Sequence, residues 1–547
     1  MKLIIIIVTL FCICEGSFAQ SPQWGWVNQI GSKISGESVN FVQTDTKGNV
    51  IAFENCLDSL EALEHVYSLK ISKYSGAGSL LWKTSIRGKN TFKGTSLGSN
   101  IGQSLAVDSN DNIFALISLT DTVFINETIL NKGGSYLLKF SPSGALLWNV
   151  NILPGSQGQL AVDENGSPVV YFYTKDSTLQ INGIERIHGD TTKLHLFLIK
   201  FDSQSNLLWA KDAINANSTD LYFPNGIAAH HNIAFSGIFS GTLNIGDSTI
   251  TSNDAEDILL LKCDSSGNLQ WISQAPINGG TSYPSQLTSD NLDNYYTLDY
   301  YTQTNENDLI IVKFDSSGGM KWKNLLNNVF GGPTCIAYSP LDKLLLVIAT
   351  SEIDIRGDHY DSNTGFYPNA LFGCSAETGN QLWALITSRP DTGLVYWNVC
   401  ADRHANYYLS GSFGWRVGSI ANQWITDSTR IRGNIGATKL LSFGGTDGFI
   451  AKLTSTSSSV TPTQNPSKAN FLAYPNPANE KIKFLYQEEI PGAYSIVISD
   501  ILGREVLKNV PHFLNKDIPI HSLSPGMYYA MITTGTDKLS IKFFVTQ

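Results

Sequence analysis

The chain has 547 residues, enough for several domains, and a formal net charge of −10 at pH 7. Aromatic residues make up 11% of the chain and charged residues only 15%, which is typical of an all-β protein with many rings on strands. The acidic balance excludes a basic stripe for nucleic acid, so no nucleic-acid partner is predicted.

An export signal is predicted at the N-terminus. A basic start at Lys2 is followed by an apolar run, and a small-x-small site ends at Ala19, so cleavage is expected between Ala19 and Gln20. Residues 1–19 are therefore predicted to be a signal peptide. The apolar run is too short to span a membrane, and no later stretch approaches ~20 apolar residues, so no transmembrane segment is predicted in the mature chain. The alternative is a lipoprotein signal, because Cys14 lies in this region, although Ile13 precedes it where a small residue is typical.

A ten-residue phrase, Lys-aromatic-Asp-x-x-Gly-x-Leu-x-Trp, recurs along most of the chain. The best copies are KCDSSGNLQW (262–271) and KFDSSGGMKW (313–322), and looser copies occupy 73–82, 139–148 and 200–209. A sixth copy, 373–383, is one residue longer, and a seventh ends at Leu453 before any tryptophan. The phrase returns roughly every 50 to 80 residues, and a repeat with a period of this order indicates a solenoid or a propeller.

Each copy predicts a β-hairpin. In residues 308–314, Leu309 and Ile311 are apolar on one face and Ile310, Val312 and Phe314 on the other, as expected of a strand covered on both sides. The Asp-x-x-Gly that follows is turn chemistry, because Asp caps its own backbone and Gly accepts positive φ.

A second recurrent phrase precedes each hairpin, as in SLAVDSNDNIFAL (104–116) and QLAVDENGSPVVY (159–171). Two hairpins per period give a four-stranded antiparallel unit, and seven units in a row predict a seven-bladed β-propeller over residues 20–453. The last unit lacks its tryptophan strand, while Trp24–Val27 is an orphan strand near the N-terminus, so we expect the two chain ends to close the ring. The phrases resemble the bacterial β-propeller repeat family, which implies the fold and says little about activity.

The composition changes after Leu453. Residues 454–469 are rich in Ser, Thr and Pro and are predicted to be a flexible linker. Short alternating strands with frequent turn signals follow over residues 470–547, which predicts a small β-sandwich of immunoglobulin-like type.

This C-terminal module resembles the type A C-terminal sorting domain of the type IX secretion system. The residues that carry the resemblance are Tyr474, Pro475, Asn476, Pro477, Gly503, Gly526, Tyr528 and Lys542. The resemblance implies that the type IX machinery is a partner and that the protein of a Bacteroidetes-type bacterium crosses the outer membrane to be secreted or held at the cell surface. The alternative is an ordinary adhesion sandwich.

No metal, cofactor or catalytic residue is predicted. The Asp-rich turn at 108–112 has oxygen ligands for calcium, but Asp and Asn also recur there because turns favour them. The five cysteines outside the signal have wide spacings without Cys-x-x-Cys, so neither a zinc site nor a disulfide framework is indicated. A Cys374–Cys400 bridge between neighbouring blades is left open.

Two functions remain open. The favoured one is a non-catalytic propeller that binds a glycan or protein, with Trp415 and Trp424 of the insertion 412–445 as rings that stack on sugars or, alternatively, pack between blades. The other is a surface hydrolase or lyase with carboxylates that converge at the central channel, where an inward-facing Asp/Glu cluster would identify it.

Overall fold

The structure is a computed structural model, and it divides the chain into two compact units, Met1–Ser457 and Ser458–Gln547. The residues that it describes are 22–31, 37–61, 64–88, 102–119, 122–131, 133–153, 158–216, 221–229, 231–245, 248–253, 255–277, 281–303, 306–326, 329–330, 333–350, 352–355, 358–360, 369–386, 394–413, 432–435, 438–441, 446–454, 471–474, 478–486, 494–500, 504–512, 518–524, 526–534 and 537–545.

The regular structure of the first unit is β-strand throughout the described residues. The first strands are β1 (Gln23–Ile30), β2 (Ser38–Thr44), β3 (Val50–Glu61), β4 (Glu64–Tyr74), β5 (Leu80–Gly88), β6 (Gly102–Val107), β7 (Ile113–Leu119), β8 (Val123–Ile125), β9 (Thr128–Leu130), β10 (Gly134–Phe140), β11 (Leu146–Leu153), β12 (Gly158–Val162), β13 (Pro168–Thr174), β14 (Thr178–Ile181), β15 (Ile184–His188), β16 (Leu194–Phe201) and β17 (Leu207–Ala216). They continue with β18 (Leu221–Ala229), β19 (Ile233–Phe239), β20 (Thr242–Ile245), β21 (Ser248–Thr251), β22 (Asp257–Cys263), β23 (Leu269–Pro276), β24 (Thr281–Ser289), β25 (Tyr295–Gln303), β26 (Glu306–Phe314) and β27 (Met320–Leu326). The last are β28 (Val329–Phe330), β29 (Pro333–Ser339), β30 (Leu344–Thr350), β31 (Glu352–Ile355), β32 (Asp358–Tyr360), β33 (Asn369–Ser375), β34 (Gln381–Ile386), β35 (Val395–Ala401), β36 (Asn406–Phe413), β37 (Arg432–Ile435), β38 (Thr438–Leu441) and β39 (Asp447–Thr454).

Seven antiparallel sheets organise these strands, and each follows the two-hairpin order that the repeats predict. In chain order they are sheet 1 (β2-β3-β4-β5), sheet 2 (β6-β7-β10-β11), sheet 3 (β12-β13-β16-β17), sheet 4 (β18-β19-β22-β23), sheet 5 (β24-β25-β26-β27), sheet 6 (β29-β30-β33-β34) and sheet 7 (β35-β36-β39-β1). The fourth strand of sheet 7 is β1, which pairs antiparallel with β39, so strands from opposite ends of the unit share one sheet. This is the pairing that the orphan Trp24–Val27 strand predicts.

Neighbouring sheets pack face to face. The first strand of each sheet contacts the first strand of the next, from β2 through β6, β12, β18, β24, β29 and β35, and β35 contacts β2 again. A separate apolar cluster fills each of the seven sheet-to-sheet interfaces. Each sheet therefore buries both of its faces.

The third strand of sheet 5 confirms the two-faced pattern predicted for residues 308–314. Leu309 and Ile311 belong to the cluster shared with sheet 6, whereas Ile310, Val312 and Phe314 belong to the cluster shared with sheet 4. The alternation of side chains along a strand sends each set to a different neighbour.

The structure adds hairpins that the sequence analysis did not identify. The β8-β9 hairpin lies between the second and third strands of sheet 2, yet it pairs with β5 of sheet 1. The β14-β15 hairpin of sheet 3 likewise pairs with β11 of sheet 2, and β20 of sheet 4 contacts β17 of sheet 3. Each of these hairpins covers the outer strand of the preceding sheet, which limits the exposed edge there.

A fork of two donors joins neighbouring sheets. The indole Nε1 of Trp209 and the ammonium of Lys200 both donate to the carbonyl of Ser265, the second turn residue of sheet 4, at 3.1 and 3.2 Å. The same fork recurs from Lys73 and Trp82 to Pro142, from Lys139 and Trp148 to Ser203, from Lys262 and Trp271 to Ser316, and from Lys452 and Trp26 to Gly76. The phrase thus joins its own sheet to the turn of the next copy.

The glycine of the phrase lies against the same tryptophan. Gly144 has φ of 86°, which L side chains rarely adopt, and a Cβ added to it would lie 2.7 Å from the Trp82 ring. Glycine is therefore required at this turn for two reasons: the backbone is in the left-handed region, and the tryptophan ring leaves no room for a Cβ. Gly267 lies on Trp209 in the same way.

The five cysteines among the described residues of the unit are free and buried. Cys263 occupies the aromatic slot of the repeat and packs in the cluster between sheets 3 and 4, as predicted for a small apolar residue. The Cys374–Cys400 bridge that the sequence left open is absent, because Cys374 faces sheet 5 and Cys400 faces sheet 1. Burial raises the pKa of the Cys374 thiol to about 12.

The second unit contains two sheets with one shared core. Its strands are β40 (Phe471–Tyr474), β41 (Lys481–Tyr486), β42 (Tyr494–Asp500), β43 (Glu505–His512), β44 (Ile518–Pro519), β45 (Gly526–Thr534) and β46 (Asp537–Val545). The sheet orders are β40-β41-β44 and β43-β42-β45-β46. Ile482 and Ile518 of the first sheet pack with Ile496, Tyr528 and Ala530 of the second. This arrangement is a small sandwich of two packed sheets.

The fork predicts a difference between two otherwise similar tryptophans. Trp271 Nε1 donates to Ser316 at 3.1 Å, whereas Trp322 Nε1 is buried with no hydrogen-bond partner in the described structure. Both Trp→Phe variants lose ring contacts, but only Trp271→Phe also loses a hydrogen bond, a net contribution of about 1 kcal/mol. We expect Trp271→Phe to lower the free energy of unfolding by about 1 kcal/mol more than Trp322→Phe in denaturant titrations. An equal or larger loss in Trp322→Phe would contradict this role of the fork.

Candidate functional site

A cavity of about 250 Å³ lies between the first strands of all seven sheets. Side-chain amides and hydroxyls contribute to its wall, among them those of Gln43, Ser104, Gln159, Gln286 and Asn398, next to apolar residues such as Leu160. None of the described residues that line the cavity is Asp, Glu, Lys, Arg or His. The wall is therefore neutral and rich in hydrogen-bonding groups.

Four of these polar residues share one position, four residues before the Asp that caps the following turn: Ser104, Gln159, Gln286 and Asn398. Side chains at this position reach the backbone of the next first strand. The contacts are Ser104 Oγ to the carbonyl of Leu160 at 3.3 Å, the amide N–H of Ile336 to Gln286 Oε1 at 3.0 Å, and the amide N–H of Val42 to Asn398 Oδ1 at 3.2 Å. They satisfy backbone groups on the inner edges of the sheets.

The amide nitrogens of Gln286 and Asn398 are left for other partners. In the contacts between the described strands, the side-chain oxygens of these two residues take part and their nitrogens do not. Each NH₂ group can donate two hydrogen bonds, and both residues line the cavity. The cavity therefore presents donors to a bound molecule as well as the apolar surface around them.

The Asp residues of the turns are committed to backbone capping. Asp108 Oδ1 accepts from the amides of Asn110 and Asn112, at 2.9 and 2.8 Å, and Oδ2 accepts from Asn112 Nδ2. The same pattern recurs at Asp163 and Asp402. Across the described residues, no group of three or more His, Cys, Asp or Glu side chains has the geometry to hold a metal ion. These contacts favour turn formation as the reason for the recurrent Asp.

Two buried carboxyl groups occupy equivalent positions on second strands, nine residues after the turn Asp. Glu54 of sheet 1 is paired with Lys83 at 2.9 Å and accepts from the hydroxyl of Tyr74 at 2.8 Å. Asp299 of sheet 5 is 1% exposed, and its Oδ2 has no hydrogen-bond partner in the described structure. Burial raises the pKa of Asp299 to about 8, and the nearby Thr297 hydroxyl lowers it only in part. Neither Glu54 nor Asp299 lines the cavity.

A buried His–Asp pair, which the sequence analysis did not identify, supports sheet 3. His195 Nδ1 lies 2.7 Å from Asp212 Oδ2, and Nε2 lies 2.9 Å from the carbonyl of Asp190, to which it must donate. The ring stacks on Phe197 with centroids 5.3 Å apart. Both nitrogens are engaged, and the second partner is a backbone carbonyl, so the pair orders the connection to β16. Burial raises the pKa of Asp212 against the lowering by His195.

The predicted site residues are only partly within the described structure. Ala19, Gln20, Trp415, Trp424, Pro475, Asn476, Pro477 and Gly503 lie outside the described residues. Tyr474 ends β40, Gly526 begins β45, and Lys542 lies in β46 opposite Tyr529. The hydroxyl of Tyr528 donates to the carbonyl of Ser524 at 2.8 Å, so this residue fixes the turn before its own strand.

The terminal strand of the second unit lies at a sheet edge. In the order β43-β42-β45-β46, β46 is paired along its length with β45, and one parallel bridge joins Val545 to Ala478 on the other side. An edge strand offers backbone donors and acceptors to a partner.

Comparison with known families identifies this second unit. Residues 472–546 match the secretion system C-terminal sorting domain. The sorting domain is that of the type IX system, and it indicates export across the outer membrane, to the cell surface or into the medium. In the described part of the chain, no helix has the length and apolar character needed to cross a membrane.

No curated protein matches the chain. Among solved structures, prolyl oligopeptidase B from Galerina marginata is similar with a TM-score of 0.35 and 9% identity over 69% of this chain, and the chain spans about half, 47%, of that protein. A polysaccharide lyase of family PL25, an ulvan lyase, has a TM-score of 0.41 and 10% identity over 70% of this chain and 93% of its own. A neuraminidase-like protein of subtype N10 from a little yellow-shouldered bat virus has a TM-score of 0.31 and 10% identity over 64% of this chain and 95% of its own.

The unpaired Asp299 predicts an unusual pH dependence of stability. Its folded-state pKa of about 8 lies above the usual value, so the unfolded state loses this proton near pH 4 while the folded state keeps it. The contribution of Asp299 to the free energy of unfolding is therefore largest at low pH. It falls as the pH rises from about 4 to about 8, by at most roughly 1.4 kcal/mol per pH unit. We expect the stability of Asp299→Asn relative to wild type to increase over this range in denaturant titrations.

The control for Asp299→Asn is Glu54→Gln, which neutralises the buried carboxyl group at the equivalent position of sheet 1. It leaves the Lys83 ammonium without its carboxylate partner, and we expect it to lower stability at neutral pH. A stability difference between Asp299→Asn and wild type that is the same at pH 5 and pH 8 would show that Asp299 ionises normally.

Proposed function

We propose that this protein is a non-catalytic binding protein, exported by the type IX system, whose first unit is a seven-bladed β-propeller closed by strands from both ends of the unit. The ligand is a glycan or a protein, and it binds at the central cavity. In this proposal residues 1–19 are a signal peptide of a Bacteroidetes-type bacterium, 454–469 a linker and 470–547 the sorting domain.

The propeller proposal rests on the sheet contacts. Seven sheets have the same strand order, their first strands contact one another in a complete cycle, and apolar clusters fill every interface between them. Pairing of β1 with β39 supplies the last strand of sheet 7 and would hold the ring shut.

The observation that carries the binding proposal is the neutral wall of the cavity. Amide donors of Gln286 and Asn398 suit recognition of neutral hydroxyl or amide groups. A hydrolase or lyase of the kind considered from sequence needs carboxylates that converge on the substrate. The buried carboxyl groups described here, Glu54 and Asp299, lie on second strands, away from the cavity wall.

Binding without turnover is directly testable. Purified protein should bind one member of an array of extracellular proteins and polysaccharides, and it should release no reducing sugar, unsaturated product or peptide from that member on long incubation. Product release by the purified protein, abolished in a matched heat-treated sample, would contradict the non-catalytic proposal.

Export is tested separately. Deletion of residues 470–547 should trap the folded first unit in the periplasm, and fusion of the same segment to an unrelated exported protein should carry that protein to the surface or medium. The control is a fusion that lacks β46, since the edge strand offers the backbone groups for recognition. Surface delivery of the truncated protein at the wild-type level would leave the second unit without a sorting role here.

A further inference from the structure

One exposed tryptophan stands at the start of a first strand. Trp397 of β35 is 41% exposed and directly precedes Asn398, which lines the cavity. Its Nε1 donates to Ser412 Oγ on the neighbouring strand at 3.1 Å, which fixes the orientation of the ring. The packing tryptophans of the repeat lie instead on fourth strands.

Trp397 occupies a β-bulge. The β35-β36 register shifts between Tyr396 and Asn398, so Trp397 is the extra residue that does not pair in the ladder. Bulges turn a side chain out of the regular alternation and are common beside binding sites. Tyr396 is fully buried between sheets 6 and 7, whereas the next residue, Trp397, is exposed.

The same bulge recurs around the ring. First strands of sheets 1, 2 and 5 shift register directly before their cavity-lining stretch, at Asn40, Gln103 and Ser285, and the first strand of sheet 6 shifts one residue earlier, at Thr334. All four are amide or hydroxyl residues, and the first three lie at the register position of Trp397. One aromatic residue thus occupies a position that holds a neutral polar residue in three other sheets.

We infer that Trp397 is the stacking platform of a neutral-polysaccharide site at this end of the cavity, an inference that rests on the proposed binding function. A sugar ring presents an apolar face, which packs on an aromatic ring, and hydroxyls at its rim, which pair with amide and hydroxyl groups. The cavity wall is neutral in its described residues and the chain carries a net charge of −10, which disfavours polyanionic polymers.

Affinity electrophoresis of the full mature chain tests the site. The gels contain dextran, laminarin, xylan or galactomannan, with dextran sulfate as the charged comparison. We expect at least one neutral polymer to retard the wild type, and Trp397→Ala to weaken that binding at least about tenfold, as loss of a stacking contact of ~1.4 kcal/mol predicts. Trp397→Phe keeps a ring and should retain most of the affinity.

The matched control is Leu292→Ala. Leu292 is 78% exposed in the turn after β24, at the opposite end of a first strand, so this variant should bind as the wild type does. Melting temperatures of all variants report folding, and if Trp397→Ala is unstable, Trp397→Gln tests the same loss, because Gln103 occupies the equivalent bulge of sheet 2.

Each negative result contradicts a different part of the proposal. Unchanged binding by Trp397→Ala overturns the site while the binding function stands. Binding of the wild type only to a protein, or only to dextran sulfate, overturns the neutral-polysaccharide ligand. Release of reducing sugar by the wild type overturns the non-catalytic proposal itself.

Discussion

The packing of neighbouring sheets in the first unit depends on a buried lysine whose ammonium group contacts both its own sheet and the next one. Lys200 is nearly inaccessible, and its ammonium lies 2.8 Å from Asp163 of its own sheet and 3.2 Å from the carbonyl of Ser265 in the next. An ammonium group can be buried only if its charge and donors are matched, so the carboxylate and the carbonyl must both be in place. The contact therefore couples the fold of one sheet to its alignment with the next. Trp209, directly opposite Lys200 in the ladder, donates to the same carbonyl.

The two irregular copies of the phrase follow from this geometry. In sheet 7 the lysine and tryptophan of one fork come from opposite ends of the unit, Lys452 of β39 and Trp26 of β1, and both donate to Gly76. In the other sheets the fork binds the turn between the third and fourth strands of the next sheet. In sheet 7 those strands are β39 and β1, which are not consecutive in the chain, so no such turn exists and sheet 6 has no equivalent carbonyl to bind. Its copy accordingly has Gly373 in the lysine position, and a Cβ there would lie within 2.2 Å of the Trp383 ring. Trp383 is buried in the cluster between sheets 6 and 7 instead.

The sequence predicts contacts within a hairpin far better than contacts between sheets. Strand alternation, the Asp-capped turn and the positive-φ glycine are local, so residues 308–314 and Gly144 could be assigned from their neighbours in the chain. The carbonyl that receives Lys200 lies 65 residues further on, and nothing local marks it. A polar residue four positions before a capping Asp recurs in the sequence at Ser104, Gln159, Gln286 and Asn398, but the sequence analysis did not identify it, because its role depends on the edge of the next first strand. The sequence analysis missed Trp397 because a tryptophan within an apolar strand is expected to lie in the core. Its exposure follows from the bulge, which the sequence does not reveal.

The two ends of each first strand are therefore under different constraints. At the turn end of the first strand, Asp caps the backbone. The turn between the third and fourth strands lies at the same end of each sheet, and there Gly packs on a ring and a carbonyl accepts from the Lys and Trp fork, so a substitution at this end disturbs an interface between sheets. At the opposite end the bulge residues leave the ladder, and Trp397 can replace a small polar residue with no loss of pairing. Because the contacts between neighbouring sheets described above concentrate at the turn end, the bulged end can differ from sheet to sheet. The proposed ligand site lies at the bulged end because a side chain of the described first strands can change there without changing the ladder.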